Sequence, residues 1–195
     1  MADKIVTDFL NTVKSKSRKA MDWFRSVVGK TRAAAFPAST GRKEIMGGRN
    51  IGITRDPEIG KMYLFQYEAK FKEILPYWDK WPLIFPFDHA RGGFYGINLH
   101  YLPVGARIDL MTALMKAQGE SNRPLDKDYN LKLSYNIIKG FKPAKRCIKR
   151  YLRTHLVTSL YGITGEDWSY AAALPLQKFQ KESEKYVWTQ SALKY

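Results

Sequence analysis

Three short stretches of the chain, Met62-Tyr-Leu-Phe-Gln-Tyr67, Leu83-Ile-Phe-Pro-Phe87 and Phe94-Tyr-Gly-Ile-Asn-Leu-His-Tyr-Leu102, concentrate aromatic and β-branched residues between turn formers. Side chains of that kind fit a pleated, half-buried surface, and the spacing predicts three strands. The connection His89-Ala-Arg-Gly-Gly93 is short and ends in two glycines, so the last two strands should form a hairpin. Pro82 and Pro86 lack an amide donor, which calls for an edge position or a bulge in their strand.

On either side the period changes. Ile5, Phe9, Val13, Ala20, Phe24 and Val27 recur at helical spacing, with Val6, Leu10 and Val28 beside them, while Lys14, Lys16, Arg18, Lys19 and Arg25 fall mainly off that stripe. Residues 1–36 are expected to be an amphipathic basic helix. Its apolar side chains, Phe9, Leu10, Val13, Trp23, Phe24 and Val27, are candidates for gripping a neighbouring subunit. Glycines 41, 47, 48, 52 and 60 then punctuate a stretch with little apolar mass, and 37–60 is expected to be an extended arm. Residues 61–195 should make one compact domain.

Within that domain, helical spacing returns at Val104, Ile108, Met111, Leu114 and Met115, just after Pro103, where a proline suits a helix start. Shorter helices are expected at 128–138, 166–173 and 176–184. The segment from Ala144 to about Ser159 places Ile148, Tyr151, Leu152, His155 and Leu156 on one helical face and crowds cations around the rest. The expected class is therefore α+β: a small antiparallel sheet of about three strands packed with C-terminal helices, preceded by a helix and arm.

Charge narrows the partners. The 195 residues hold 33 basic and 18 acidic side chains, a net charge of +15, which calls for an anionic partner. Residues 1–61 carry 13 basic and 6 acidic side chains, 62–120 carry 6 of each, and 121–195 carry 14 and 6. A neutral middle between basic flanks makes the middle a hydrophobic platform and turns the ends toward the partner. Lys142, Lys145, Arg146, Lys149, Arg150 and Arg153 are the strongest candidates, for DNA phosphates or for an acidic protein surface.

Catalytic patterns are weak by comparison. Val28-Gly-Lys-Thr31 resembles the end of a phosphate-binding loop, but the glycine needed five residues earlier is Phe24. Glu68 and Lys70 share the spacing of metal-dependent nucleases without a convincing acidic residue on the preceding strand. His89, His100 and His155 are far apart, and His100, alternating with Asn98, suits hydrogen bonding on a sheet face. The lone Cys147 fits a packed thiol and excludes an intramolecular disulfide. The aromatic run Leu75 to Phe87 could stack bases, but its prolines and apolarity favour core. A non-enzyme with no metal and no cofactor is expected. No apolar run approaches the roughly 20 residues of a membrane span, and no signal-peptide core is visible, so the expectation is a protein made in the cytoplasm without membrane contact.

The order of motifs Leu75-Pro-Tyr-Trp-Asp79, Pro82-Leu-Ile-Phe-Pro86, Gly93 to Pro103 and Arg107-x-x-Leu-Met111 resembles a family of small proteins from T-even-like contractile-tailed bacteriophages, some labelled DNA end protectors. Ser134-Tyr135, the Phe141 to Tyr151 region, His155, Trp168 to Pro175 and Val187-Trp188 extend the resemblance over about residues 60–190. It implies a virion or assembly role rather than metabolism. The first expectation is a structural component of the tail, baseplate or neck, held by other virion proteins in a symmetric assembly. The alternative is a protein that binds double-stranded DNA and protects genome ends through the basic segment 142–153.

Overall fold

The computed structural model describes residues 38–47, 50–116, 128–138 and 144–192. The expected helix over 1–36 and its candidate contacts Phe9, Leu10, Val13, Trp23, Phe24 and Val27 lie outside the described residues, as does Lys142. In chain order the elements are α1 (Ala38–Gly47), β1 (Asn50–Thr54), β2 (Met62–Leu64), β3 (Trp78–Asp79), β4 (Leu83–Ala90), β5 (Gly93–Asn98), α2 (Val104–Lys116), α3 (Tyr135–Ile138), α4 (Ala144–Cys147), β6 (Ile148–Leu152), β7 (Leu160–Ile163), α5 (Trp168–Ala173), β8 (Phe179–Gln180) and α6 (Glu184–Ala192). One-turn 3-10 helices at Leu99–Tyr101, Arg153–His155 and Gly165–Asp167 link some of them. None of the described helices is long and apolar enough to cross a membrane.

Six strands form one antiparallel sheet in the order β1-β7-β2-β4-β5-β6, and β3 pairs with β8 in a separate two-stranded ribbon. The class is α+β, but the sheet is twice the expected size. The expected hairpin is present inside the sheet: β4 and β5 pair from Ile84 opposite Asn98 to Ala90 opposite Gly93. Gly92 turns the chain at φ 72°, and a side chain on Gly93 would strike the Tyr151 carbonyl oxygen at 1.8 Å. β4 is an interior strand, so its proline is tolerated by the bulge and not by an edge: the register shifts between Pro86 and Asp88, and the Pro86 carbonyl accepts from the Gly60 amide at 2.8 Å.

The added strands come from segments whose local pattern pointed elsewhere. Residues 38–54 are not an extended arm: α1 buries Ile45 and sends Arg42 to the Leu176 carbonyl at 2.8 Å, and β1 pairs with β7 on the main sheet. The basic segment is not a helix beyond one turn; α4 ends at Cys147 and the chain continues as β6 along the open edge of β5. An unpaired strand edge leaves a row of amides and carbonyls to be satisfied, and pairing with Ile148–Leu152 does so. Among residues 128–138 only Tyr135–Ile138 is helical, and the last helix begins at Glu184 rather than Leu176.

Alternation along the strands divides the sheet into two apolar faces. Leu83, Phe85 and Ile97 face a large core under α2 and α5, where Phe85 meets the fully buried Trp168 edge-on at 4.8 Å. Ile84, Phe94 and Tyr151 face a smaller, aromatic cluster with Tyr63, Phe65 and Tyr67. The stripe expected on α2 is buried at Ile108, Met111, Leu114 and Met115. On the same helix the fully buried Arg107 donates to the carbonyls of Leu102 (2.7 Å), Ala172 (3.3 Å) and Leu174 (3.4 Å) and to Gln177 Oε1 (3.1 Å). Loss of water pulls its guanidinium down to about 10, still protonated at neutral pH. Arg107→Met should lower unfolding free energy by about 3 kcal/mol, because buried acceptors lose their donor. Chemical denaturation of the purified chain measures it, and a change below about 1 kcal/mol would mean that Arg107 does not hold α2 to the segment after α5.

Candidate nucleic-acid interface

The aromatic face of the sheet is only partly covered. After β2 the chain crosses it as a loop, and the bond from the Leu152 amide to the Tyr67 hydroxyl (3.2 Å) ties that loop to the outer edge of β6. Tyr67 and Tyr151 meet edge-on at 5.0 Å, and Phe65 meets Tyr151 at 5.3 Å. Farther on, Lys181 donates to the Glu73 and Leu75 carbonyls at 3.0 and 2.9 Å and lies 6.0 Å from the Trp78 ring, pinning the loop to the β3-β8 ribbon. Between loop, ribbon and β6 lies a surface cavity of about 430 Å³. Tyr67, Tyr77, Trp78, Tyr101 and Tyr151 wall it, Lys70, Lys149 and Arg150 supply cations, and Asp79 and Asn98 line its inner end.

Asp79 sets the geometry of that inner end. One carboxylate oxygen accepts from the amides of Trp81 (2.9 Å) and Lys178 (3.0 Å), the other from His100 Nδ1 (2.7 Å) and Asn98 Nδ2 (3.3 Å). Burial by itself would raise the carboxyl, yet His100 and the two amides together hold it below the ordinary value. Burial also lowers His100, against the pull of Asp79, so the imidazole stays neutral and donates to an ionised carboxylate. Desolvation raises the Tyr101 and Tyr151 phenols, which stay neutral donors and flat apolar walls.

The cations divide into those held by the fold and those open to solvent. Lys149 lies 4.1 Å from the Tyr101 ring centre and donates to the Arg146 carbonyl at 2.6 Å; burial pushes its ammonium down to about 8. Arg146 donates to the Gln190 carbonyl at 2.6 Å, and Arg153 to Gly93 O at 3.2 Å while pairing with Asp56. Arg150 is exposed with one contact to the Arg91 carbonyl at 2.8 Å, Lys145 is exposed, and Lys70 is exposed over the Phe71 ring. Residues 148–152 are a strand and Lys149, Arg146 and Arg153 are engaged by the fold, so these residues do not form the single basic helix face that their spacing suggested.

Other sequence candidates separate. Glu68 pairs with Lys72 and Asp56 with Arg153, and no group of three His, Cys, Asp or Glu side chains suited to a metal occurs among the described residues. His155 Nδ1 contacts the Glu68 carbonyl, while His100 is hydrogen-bonded as expected, though from the buried 3-10 turn after β5 and not from a sheet face. Cys147 is buried and its thiol is raised to about 12 by desolvation, a packed thiol. Sequence reasoning missed the cavity because its walls come from four separated segments; the alternation of Asn98 with His100 and the run from Leu75 were the visible signals.

The α+β fold thus presents, on one surface, a cavity with flat aromatic walls and cations at its lining. Residues 2–194 match the family described as phage T4 terminal DNA protecting protein, and the chain belongs to that family. The match reaches well beyond residues 60–190, where the resemblance was visible. It agrees with the genome-end alternative and gives no support to a tail, baseplate or neck component. No curated protein and no solved structure matches the chain.

The Asp79–His100 pair generates a pH prediction. Both groups bind fewer protons folded than unfolded, so acid favours the unfolded chain. Stability from His100 is complete above its ordinary value of 6.5 and is lost as pH falls below it; that from Asp79 is lost below about 3.8. Denaturant midpoints followed from pH 8 to 3 should decline in both windows, and His100→Asn should flatten the upper one. An unchanged upper decline in that variant would show that His100 is not its source.

Proposed function

We propose that this protein binds the termini of linear phage DNA and shields them from degradation, acting by occupancy and not by catalysis. The family match along 2–194 carries this reading. The charge of +15 supports it, since neutralised phosphates release counterions and a surplus of that size favours duplex DNA at cellular salt. Solvent-open Lys70, Lys145 and Arg150, on the loop, α4 and β6, are the side chains assigned to phosphates. The protein would travel with the packaged genome, its own site of action being wherever that genome has a free end.

The test is exonuclease digestion of blunt linear DNA with and without the full chain, beside binding to the same DNA as a closed circle. Protection of the linear form at concentrations that leave the circle unbound is expected. Equal affinity for both, with no protection, would refute end binding, and magnesium-dependent cleavage would refute a purely protective role. Replacing Lys70, Lys145 and Arg150 together by Ala should weaken duplex binding at least tenfold and reduce the slope of log affinity against log salt by about 2 to 3. An unaltered slope would place the phosphate contacts on other residues.

A further inference from the structure

Phosphate contacts alone give a protein no means of preferring an end, because the backbone charge repeats along the whole duplex. What an end offers, and the interior does not, is a base pair stacked on one side only, whose bases fray and unstack at low cost. A protein that protects termini needs a feature that takes hold of such a base.

We infer that the cavity between the 67–78 loop, the β3-β8 ribbon and β6 receives an unstacked terminal nucleobase of the DNA end. This rests on the end-binding reading and adds the ligand group and its receptor. The cavity's volume of about 430 Å³ lies within the range of small-molecule sites, about 300–1,000 Å³. Its walls are flat rings, Tyr67, Tyr77, Trp78 and Tyr151, suited to a π-faced guest. Polar chemistry completes the match. Lys70 and Arg150 at the lining supply cations for the phosphate attached to that base. A purely apolar guest would leave these cations unused, and a free anion would leave the aromatic walls unused; a nucleotide uses both.

Phe71 marks the entrance. It lines the cavity yet is 57% exposed, on a loop held in place by the two Lys181 contacts. An exposed ring between Lys70 and Lys72 is placed to stack on a base as it leaves the duplex.

The test uses the full chain with a blunt duplex carrying the fluorescent base 2-aminopurine at its last pair, the same duplex labelled internally, and a short labelled single strand. Wild-type protein should change the emission of the terminal and single-strand probes and leave the internal probe unaltered. Phe71→Ala, at an exposed position, and Trp78→Leu should abolish the terminal change and weaken end binding about 5- to 100-fold. Trp78→Phe keeps a ring and should restore part of the signal. End protection without any terminal change, or a change that survives both substitutions, would overturn the cavity as the base receptor while leaving end binding intact. A single-strand signal lost in both variants, with no affinity for duplex ends, would keep the cavity as a base site and sink end protection. Failure of every probe and of protection would sink both.

Discussion

Asp79 gathers backbone and side-chain donors from stretches that lie far apart in sequence: its own turn at Trp81, the end of the hairpin at Asn98 and His100, and the ribbon at Lys178. A carboxylate stripped of water is costly unless its lone pairs are filled, and here four donors fill them. The consequence is mechanical. The β3-β8 ribbon has only two paired positions of its own, Trp78 with Gln180 and Asp79 with Phe179, too few to hold it against the sheet unaided. The buried anion does that work, and with it fixes the wall of the cavity that Trp78 and Tyr77 provide. Trp188 joins the same cluster from α6 by donating to the His100 carbonyl at 2.9 Å.

Arg107 plays the opposite sign of the same part on the other side of the core. It is a buried cation satisfied by carbonyls and an amide oxygen. Each buried charge thus organises the irregular backbone between elements, where no ladder of strand or helix bonds is available. The two clusters meet through Gln177, which accepts from Arg107 and is followed at once by Lys178, a donor to Asp79.

The hairpin was legible in the sequence because its signals are local: alternating aromatic residues, a short connection and paired glycines at 92 and 93. The remaining strands were not, for a physical reason that residues 148–152 illustrate. Ile148, Tyr151 and Leu152 satisfy helical spacing, and Ile148-Lys-Arg-Tyr-Leu152 lacks the apolar–polar alternation of a half-buried strand. The choice is made by the open edge of β5, a partner some fifty residues away that no local window contains. β2 and β7 are three and four residues long, too short for periodicity to register, and β7 enters between β1 and β2 from the far end of the chain. The candidate site suffered the same fate. Its residues Tyr67, Asp79, Asn98 and Lys149 carry no mutual spacing, so the cations were visible as a cluster in sequence and the aromatic cavity beside some of them was not. The family motif survived this difficulty because it records order along the chain and needs no knowledge of which segments touch.

Most of the buried or half-buried cations described above make their contacts with neutral carbonyl groups: Arg107, Arg146 and Lys149, and Arg153 in part. Mobile ions screen charge against charge far more than they weaken a short, partly buried bond to a carbonyl dipole. Ionic strength therefore acts on two properties of this molecule very unequally. It can strip a polyanion from the outer surface while the frame that presents that surface stays folded, so that release of a bound partner costs the protein no part of its architecture.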